Sequence, residues 1–349
     1  MAASRRRAGN PDRRSCRRAL RARRDADPRA APLVKARMRE FDFLSRVFAS
    51  NDLLPRSVTV PPGDDMAVVE IGAGNEILIA ADGVIEGRHA PWGCDPYVIG
   101  RKAVLRNISD VAAMANARPV AIVATAVLPR GIDEARAWRL YEGLRDTGAA
   151  WGAPLVGGDI ARTSSPDPCA PLEATVAIIA VPRRPDARYA LRGNARVGDA
   201  VFVTGTIGGA WSADGGGRHL DFTPRLAVAH ALDDILGDAL GAMIDISDGL
   251  GRDLGHIAAR SGAGIEIELD RVPISAGIAP RAGIAQGEDY ELAFTVREGA
   301  EVPAVLAGVA ITRIGSVVRG APSVRVRDGD AWLDATHAGF EHESDGGDP

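Results

Sequence analysis

The chain has 349 residues, enough for two domains at roughly 100 to 200 residues each. Hydrophobic residues make up 46%, charged residues 25% and aromatics 5%, which excludes a disordered or collagen-like polymer, and no apolar run reaches the roughly 18 residues of a membrane-crossing helix. The net charge of −4 conceals twelve Arg and one Lys against three Asp in residues 1–37, a balance of +10 that leaves −14 on the other 312 residues.

The basic segment has no apolar period, and patterned sequence begins abruptly at Met38. Residues 1–37 are therefore expected to be either an extension from a mis-called start, with Met38 the real one, or a disordered tail, in both cases without function. The acidic remainder opposes nucleic-acid binding electrostatically. Cys16, Cys94 and Cys169 show no CxxC spacing, which argues against a disulfide framework or structural zinc and fits a reducing, cytoplasmic compartment. Forty of the basic residues are Arg and two, Lys35 and Lys102, are Lys; neither lysine stands in a Walker A context. HRD, DFG, GxSxG and HExxH are all missing, so any nucleotide is handled by other means.

Helical spacing over 41–48 leads through a Pro-containing stretch into 57–60. The short apolar runs 67–71 and 76–81 then read as a hairpin around Gly72-Ala73-Gly74-Asn75. Residues 97–117 predict a largely buried helix ended by Pro119, followed by a strand over 120–128, a helix over 132–150 and strands at 155–156 and 174–181. The Arg- and Pro-rich stretch 182–194 predicts a crossing between halves. Beyond it come a strand at 200–204, a Gly-rich loop at 215–217, a helix over 224–236, a strand at 242–246 and a helix over 250–259 stopped by Gly262. Strands at 264–269, 292–296 and 310–318 complete the pattern. The class is α/β (α+β), with two domains expected at 38–185 and 186–349.

Acidic residues recur beside glycines or at the ends of apolar runs: Asp64-Asp65, Asp82, Asp110, Asp159, Asp245, Asp248 and Glu288-Asp289. Singly, each has a plainer reading as a turn residue or helix cap. Asp110 is harder to dismiss, because its predicted helix is otherwise nearly all small or apolar and a buried carboxylate needs a partner. Carboxylates gathered without a cation repel one another, and Mg²⁺ is the hard ion that bridges such groups to phosphates. The cationic complement is Arg192, Lys102, Arg106 and His89. Metal-assisted phosphate chemistry is the implied function.

GDDMAVV (63–69), ADGVIEGRH (81–89), NISDVAAMANARP (107–119), LVGGD (155–159), VTGTIG (203–208), IDISDGL (244–250) and GEDYEL (287–292) occur in an order that resembles the thiamine-monophosphate kinase family of the aminoimidazole ribonucleotide synthetase-like superfamily. The opening REFDFLSRVF and the closing Gly339-Phe340-Glu341-His342 extend the resemblance over nearly all of 38–345. It implies a two-domain fold whose N-terminal halves pair into a barrel in a homodimer, with ATP and several Mg²⁺ ions in the cleft. It further implies phosphoryl transfer from ATP to thiamine monophosphate without a protein nucleophile. Carried onto matching positions, Asp64, Asp82, Asp110, Asp159, Asp245 and Asp248 would bind metal, Arg192 and Ser247 would contact ATP, and His89, Glu288 and Phe340 would contact the substrate.

The sequence departs from the family at Ala80-Ala81, where Thr-Thr is usual, at Ile160-Ala161, which replace hydroxyl residues, at Arg101 in place of Trp, and at Glu343 in place of Phe. These put the number of ions and the thiamine end of the site at issue. Two alternatives follow: a related ATP-dependent enzyme acting on another small molecule, or a non-catalytic sensor of nucleotide or thiamine phosphates.

Overall fold

The computed structural model describes residues 40–164, 170–185 and 188–340, so the basic extension 1–37 and Glu341, His342 and Glu343 lie outside the described residues. After helix α1 (Glu40–Ala49) come strands β1 (Val58–Val60), β2 (Ala67–Gly72) and β3 (Asn75–Ile85). Gly72 pairs with Asn75, and Ala73 and Gly74 both have positive φ, 54° and 74°. A two-residue turn with φ > 0 at both positions suits the right-handed strand twist, so the expected hairpin forms. β3 continues past the expected end at 81, which places Asp82 inside the strand.

Helix α2 (Pro96–Ala113) starts where Asp95 accepts a hydrogen bond from the Tyr97 N–H at 3.0 Å and Pro96 occupies the first turn. It stops short of the expected 117, because Ala115 turns the chain at φ 56° and Ala117 already opens β4 (Ala117–Leu128). Pro119 thus belongs to a strand. With no N–H to donate, it sits beside a register shift between Pro119 and Ala121 in the pairing with the strand Glu173–Pro182. Helix α3 (Glu134–Ala150), β5 (Leu155–Arg162) and β6 (Glu173–Pro182) complete a six-stranded sheet of order β1-β2-β3-β6-β4-β5. α3 lies tightly on α2: a Cβ on Gly143 would fall 2.2 Å from the Tyr97 carbonyl oxygen, so only glycine permits the approach.

β7 (Ala200–Thr204), helix α4 (Leu226–Leu236), β8 (Leu240–Asp245), helix α5 (Leu250–Ser261), β9 (Gly264–Glu268), the short α6 (Pro280–Gly283), β10 (Leu292–Val296), β11 (Val305–Leu306), β12 (Val309–Val318), β13 (Ser323–Asp328) and β14 (Ala331–Asp334) build the second half. Its sheet runs β14-β13-β9-β12-β7-β10-β8, with β11 paired to β12. β13 and β14 carry too few apolar residues for the sequence pattern to reveal them; on β13 only Val324 and Val326 are buried.

The architecture is mixed α/β. α2 touches β3 and β6 on one side and β8 and α4 on the other. That double burial explains why apolar and small residues surround its charged positions. One apolar core accordingly joins Leu78, Ile108 and Ile178 of the first half to Leu232, Met243 and Phe294 of the second. No helix among the described residues is long and apolar enough to cross a membrane.

Candidate active site

Lys102, Arg106, Ser109 and Asp110 follow one another at intervals of three or four, or adjacently, and so lie along one stripe of α2. Opposite stand the inner face of β3, the Gly63-Asp64-Asp65 turn and the end of β8. Together they enclose a cavity of about 380 Å³ lined by Asp64, Asp65, Asp82, Arg106, Asp110, Arg192, Asp245, Ser247 and Tyr290, among others. Carboxylate oxygens of Asp65, Asp110 and Asp245 all lie within 4.8 Å of one another. Three like charges this close strongly disfavour full ionisation. Burial, then Asp65 and Asp82, push Asp245 up to about 7 against the pull of Ser109 and Arg192. Burial and Asp65 raise Asp64 to about 6, and burial followed by Asp82, Asp245 and Asp65 pushes Asp110 well above the carboxylate range.

Two arginines offset part of this charge. Arg192 grips Asp65 with Nη2 at 2.8 Å and Nε at 3.2 Å, while its backbone N–H donates to Asp64 at 3.1 Å. Arg106 donates to Asp82 at 3.2 Å and to the Gly83 carbonyl at 2.7 Å. Ser109 donates to Asp245 at 2.5 Å. An oxygen-only donor set with unneutralised carboxylates fits Mg²⁺.

Of the residues singled out from sequence, Asp64, Asp82, Asp110, Asp245, Arg192 and Ser247 line this one cavity. Asp248 stands beside it in the β8–α5 turn, where Asp253 accepts from the N–H groups of Asp248 and Gly249 at 3.1 and 3.0 Å. Asp248, Asp253 and His256 bring ligand atoms within 4.8 Å of one another. Asp159 does not join them. It is exposed on edge strand β5, and its register through Thr125 to Thr175 and Gly83 puts it on the sheet face opposite Asp82, which aligns with buried Val176 and Ala124.

His89 and Glu288 meet at a different centre, the fully buried Lys102. Its ammonium forms an ion pair with Glu288, donates to the His89 carbonyl at 2.7 Å and lies 2.8 Å from His219 Nδ1. Trp211 stacks on His219 with ring centroids 3.8 Å apart. His89 Nδ1 accepts from the Ile85 N–H at 3.0 Å, Arg88 lies over the Phe340 ring at 5.1 Å, and the Phe340 N–H donates to the Asp248 carbonyl at 2.9 Å. Arg101, at the position where the family has Trp, instead ion-pairs with Asp221 at 2.9 Å.

Sequence reasoning gave no distinct role to Asp65, although it named the Asp64-Asp65 pair, and it passed over Asp253, His219 and Trp211. Asp253 lies four residues into a glycine-opened helix, a visible signal. His219 and Trp211 come from the Gly-rich loop, which carries no periodicity to place them.

A family model described as AIR synthase related protein, N-terminal domain, matches residues 63–182, the stretch that carries Asp64, Asp65, Asp82 and Asp110. The thiamine-monophosphate kinase of Haemophilus influenzae is 31% identical over 87% of this chain and 98% of its own length, and that of Escherichia coli K12 is 32% identical over the same shares. A solved structure of AaThiL complexed with AMPPCP and TMP superposes with a TM-score of 0.68 at 25% identity, covering 88% of this chain and 99% of that one. The hydrogenase maturation protein HypE in complex with ATP, at 20% identity and TM-score 0.62, shares the fold. With Asp64, Asp82, Asp110 and Asp245 of the ordered motifs gathered in one cavity and relatives matched along almost their whole length, this chain belongs to the thiamine-monophosphate kinase family.

Proposed function

We propose that the chain transfers the terminal phosphoryl group of ATP to the phosphate of thiamine monophosphate, giving thiamine diphosphate. The observation that carries this reading is the converging triad Asp65, Asp110 and Asp245, whose crowded carboxylates call for a cation, and it is supported by a family relative whose structure is complexed with AMPPCP and TMP. Mg²⁺ would be held by these three with Asp64 and Asp82, and by Asp248 alongside. It would neutralise the phosphates of two anionic reactants. Arg192 fixes the orientation of Asp65 and, with Ser247, faces the ATP phosphates. Arg106 holds Asp82 in the same way. Glu288, His89 and Phe340 form the substrate end, drawn together through Lys102 and Arg88. No side chain need act as nucleophile, since alignment and charge neutralisation supply the catalysis.

The test is incubation of the purified chain with ATP, Mg²⁺ and thiamine monophosphate, with separation of products. Thiamine diphosphate should form only with the acceptor and the metal both present. ATP turnover driven by another acceptor would favour the related-enzyme reading, and ligand binding without turnover the sensor.

The same reading includes a homodimer. The outer face of the first sheet exposes Ile79, Val123 and Ile179, with Val120 and Val156 also exposed on β4 and β5, apolar surface of the kind that marks an interface. Pairing of two such faces would close the barrel, and Val123→Asp should shift the mass measured by light scattering from dimer to monomer. A monomeric parent chain would sink the dimer. Division into domains at 185/186 is supported by each sheet being drawn wholly from one side of that point. Limited proteolysis cutting first inside either sheet would oppose it.

A further inference from the structure

Tyr290 is 2% exposed, lines the acidic cavity, and its hydroxyl has no hydrogen-bond partner among the described residues. A buried, unpaired hydroxyl is destabilising, and phenylalanine would fill the same space without that cost. The surroundings hold the ring firmly. It stacks on Phe222 with centroids 3.9 Å apart and planes 13° from parallel, and Leu105 packs beside both.

The backbone is equally constrained. Glu288 and Tyr290 both adopt left-handed φ, 67° and 51°, a conformation unfavourable for side chains of this size. The strain persists because neighbouring bonds hold the segment. The Glu288 N–H donates to Ser247 O at 2.7 Å and the Tyr290 N–H to Ile246 O at 2.8 Å. Between them, buried Asp289 accepts from the Gly208 N–H at 2.8 Å and pairs with Arg218 at 2.6 Å. Strained backbone, a locked ring and an orphan hydroxyl therefore coincide at the wall of the phosphate cavity, next to Arg106, Arg192 and Ser247. Burial pushes the phenol well above its usual 10 against the pull of Arg106, with Glu288, Asp82 and Asp245 adding to the rise, so the group keeps its proton and can donate it.

We propose that the Tyr290 hydroxyl donates a hydrogen bond to an oxygen of the terminal phosphate of bound ATP, making Tyr290 a further catalytic residue. The proposal rests on the nucleotide part of the function proposed above, and its test is independent of the acceptor. In Tyr290→Phe, which keeps the ring and its stack, calorimetry should show about tenfold weaker binding of Mg²⁺-AMPPCP, as expected for loss of a hydrogen bond to a charged group. Affinity for Mg²⁺-ADP should stay within twofold, and the melting temperature should be equal or higher. Unchanged AMPPCP affinity, or equal weakening of AMPPCP and ADP, would overturn the proposal. Failure of the parent chain to phosphorylate thiamine monophosphate would sink the kinase reading while leaving this comparison of affinities intact.

Discussion

Asp245→Asn is expected to lower phosphoryl transfer by about 10²- to 10³-fold while making the metal-free protein more stable at pH 8. The activity loss follows from removing one of three converging carboxylates, a change comparable with deleting a preorganised electrostatic contact to a transition state. The stability gain follows from proton linkage. Asp245 is 4% exposed, and its carboxyl lies at about 7 against an ordinary 3.8, because of burial and then the Asp65 and Asp82 charges. Between those values the folded protein retains a proton that the unfolded chain has released, so stability falls as pH rises from about 4 through about 7.

Displacement from 3.8 to about 7 corresponds to at most roughly 4 kcal/mol, shared with the coupled Asp64 and Asp110. Asparagine keeps an oxygen for the Ser109 hydroxyl and removes the charge. Thermal melts at pH 4.5 and pH 8, with and without Mg²⁺, separate the effects. The parent should gain more from Mg²⁺ at pH 8 than at pH 4.5, since the ion binds the deprotonated site. The variant should melt higher than the metal-free parent at pH 8 only, and its gain from Mg²⁺ should shrink. Retention of activity within twofold, or equal destabilisation at both pH values, would remove Asp245 from the metal site.

Much of this site was legible because its carboxylates sit where sequence shows them, beside Gly63, at the end of the apolar run 240–244 and among the small and apolar residues of α2. The pattern could not give depth or direction. Asp82 and Asp159 both follow strand signals, yet β3 turns Asp82 inward and β5 leaves Asp159 on the opposite face, a difference set by register across β6 and β4. A one-residue change of register reverses a side chain, and no local sequence records it. The same limit applies to α2. Its buried character was visible, but its end was not, because Ala115 adopts a positive φ more familiar in glycine or asparagine. Likewise, Lys102 was visible as one of two lysines, whereas its partners His219 and Glu288 lie 117 and 186 residues away and meet it only when both halves fold onto α2.

That meeting point sets the second large effect: Lys102→Met should destabilise the protein by roughly 3–5 kcal/mol, the range found when one member of a buried pair is removed. Lys102 is fully buried and the Glu288 side chain is 13% exposed, so a lone carboxylate has little water to turn to. Burial alone would raise the Glu288 carboxyl, but the Lys102 ammonium, helped by His219 and Arg106, holds it far below the usual range. The Glu288 carboxylate therefore contributes stability that is present above its unfolded value of about 4.5 and is lost as pH falls through the lower folded value, while burial, by drawing the Lys102 ammonium down to about 8 despite Glu288, subtracts part of it below that pH. Methionine fills much of the lysine stem but leaves both Glu288 and the His89 carbonyl without the ammonium. The midpoint of thermal unfolding at pH 7 should drop by about 10 °C. Adding Glu288→Gln should recover more than half of that drop, because it removes the stranded charge. Activity should not return with stability, since Lys102 also joins the first-half loop at His89 to the second-half turn at Glu288. A double variant as unstable as Lys102→Met would show that packing of the lysine stem, rather than the buried charge pair, holds the two halves together.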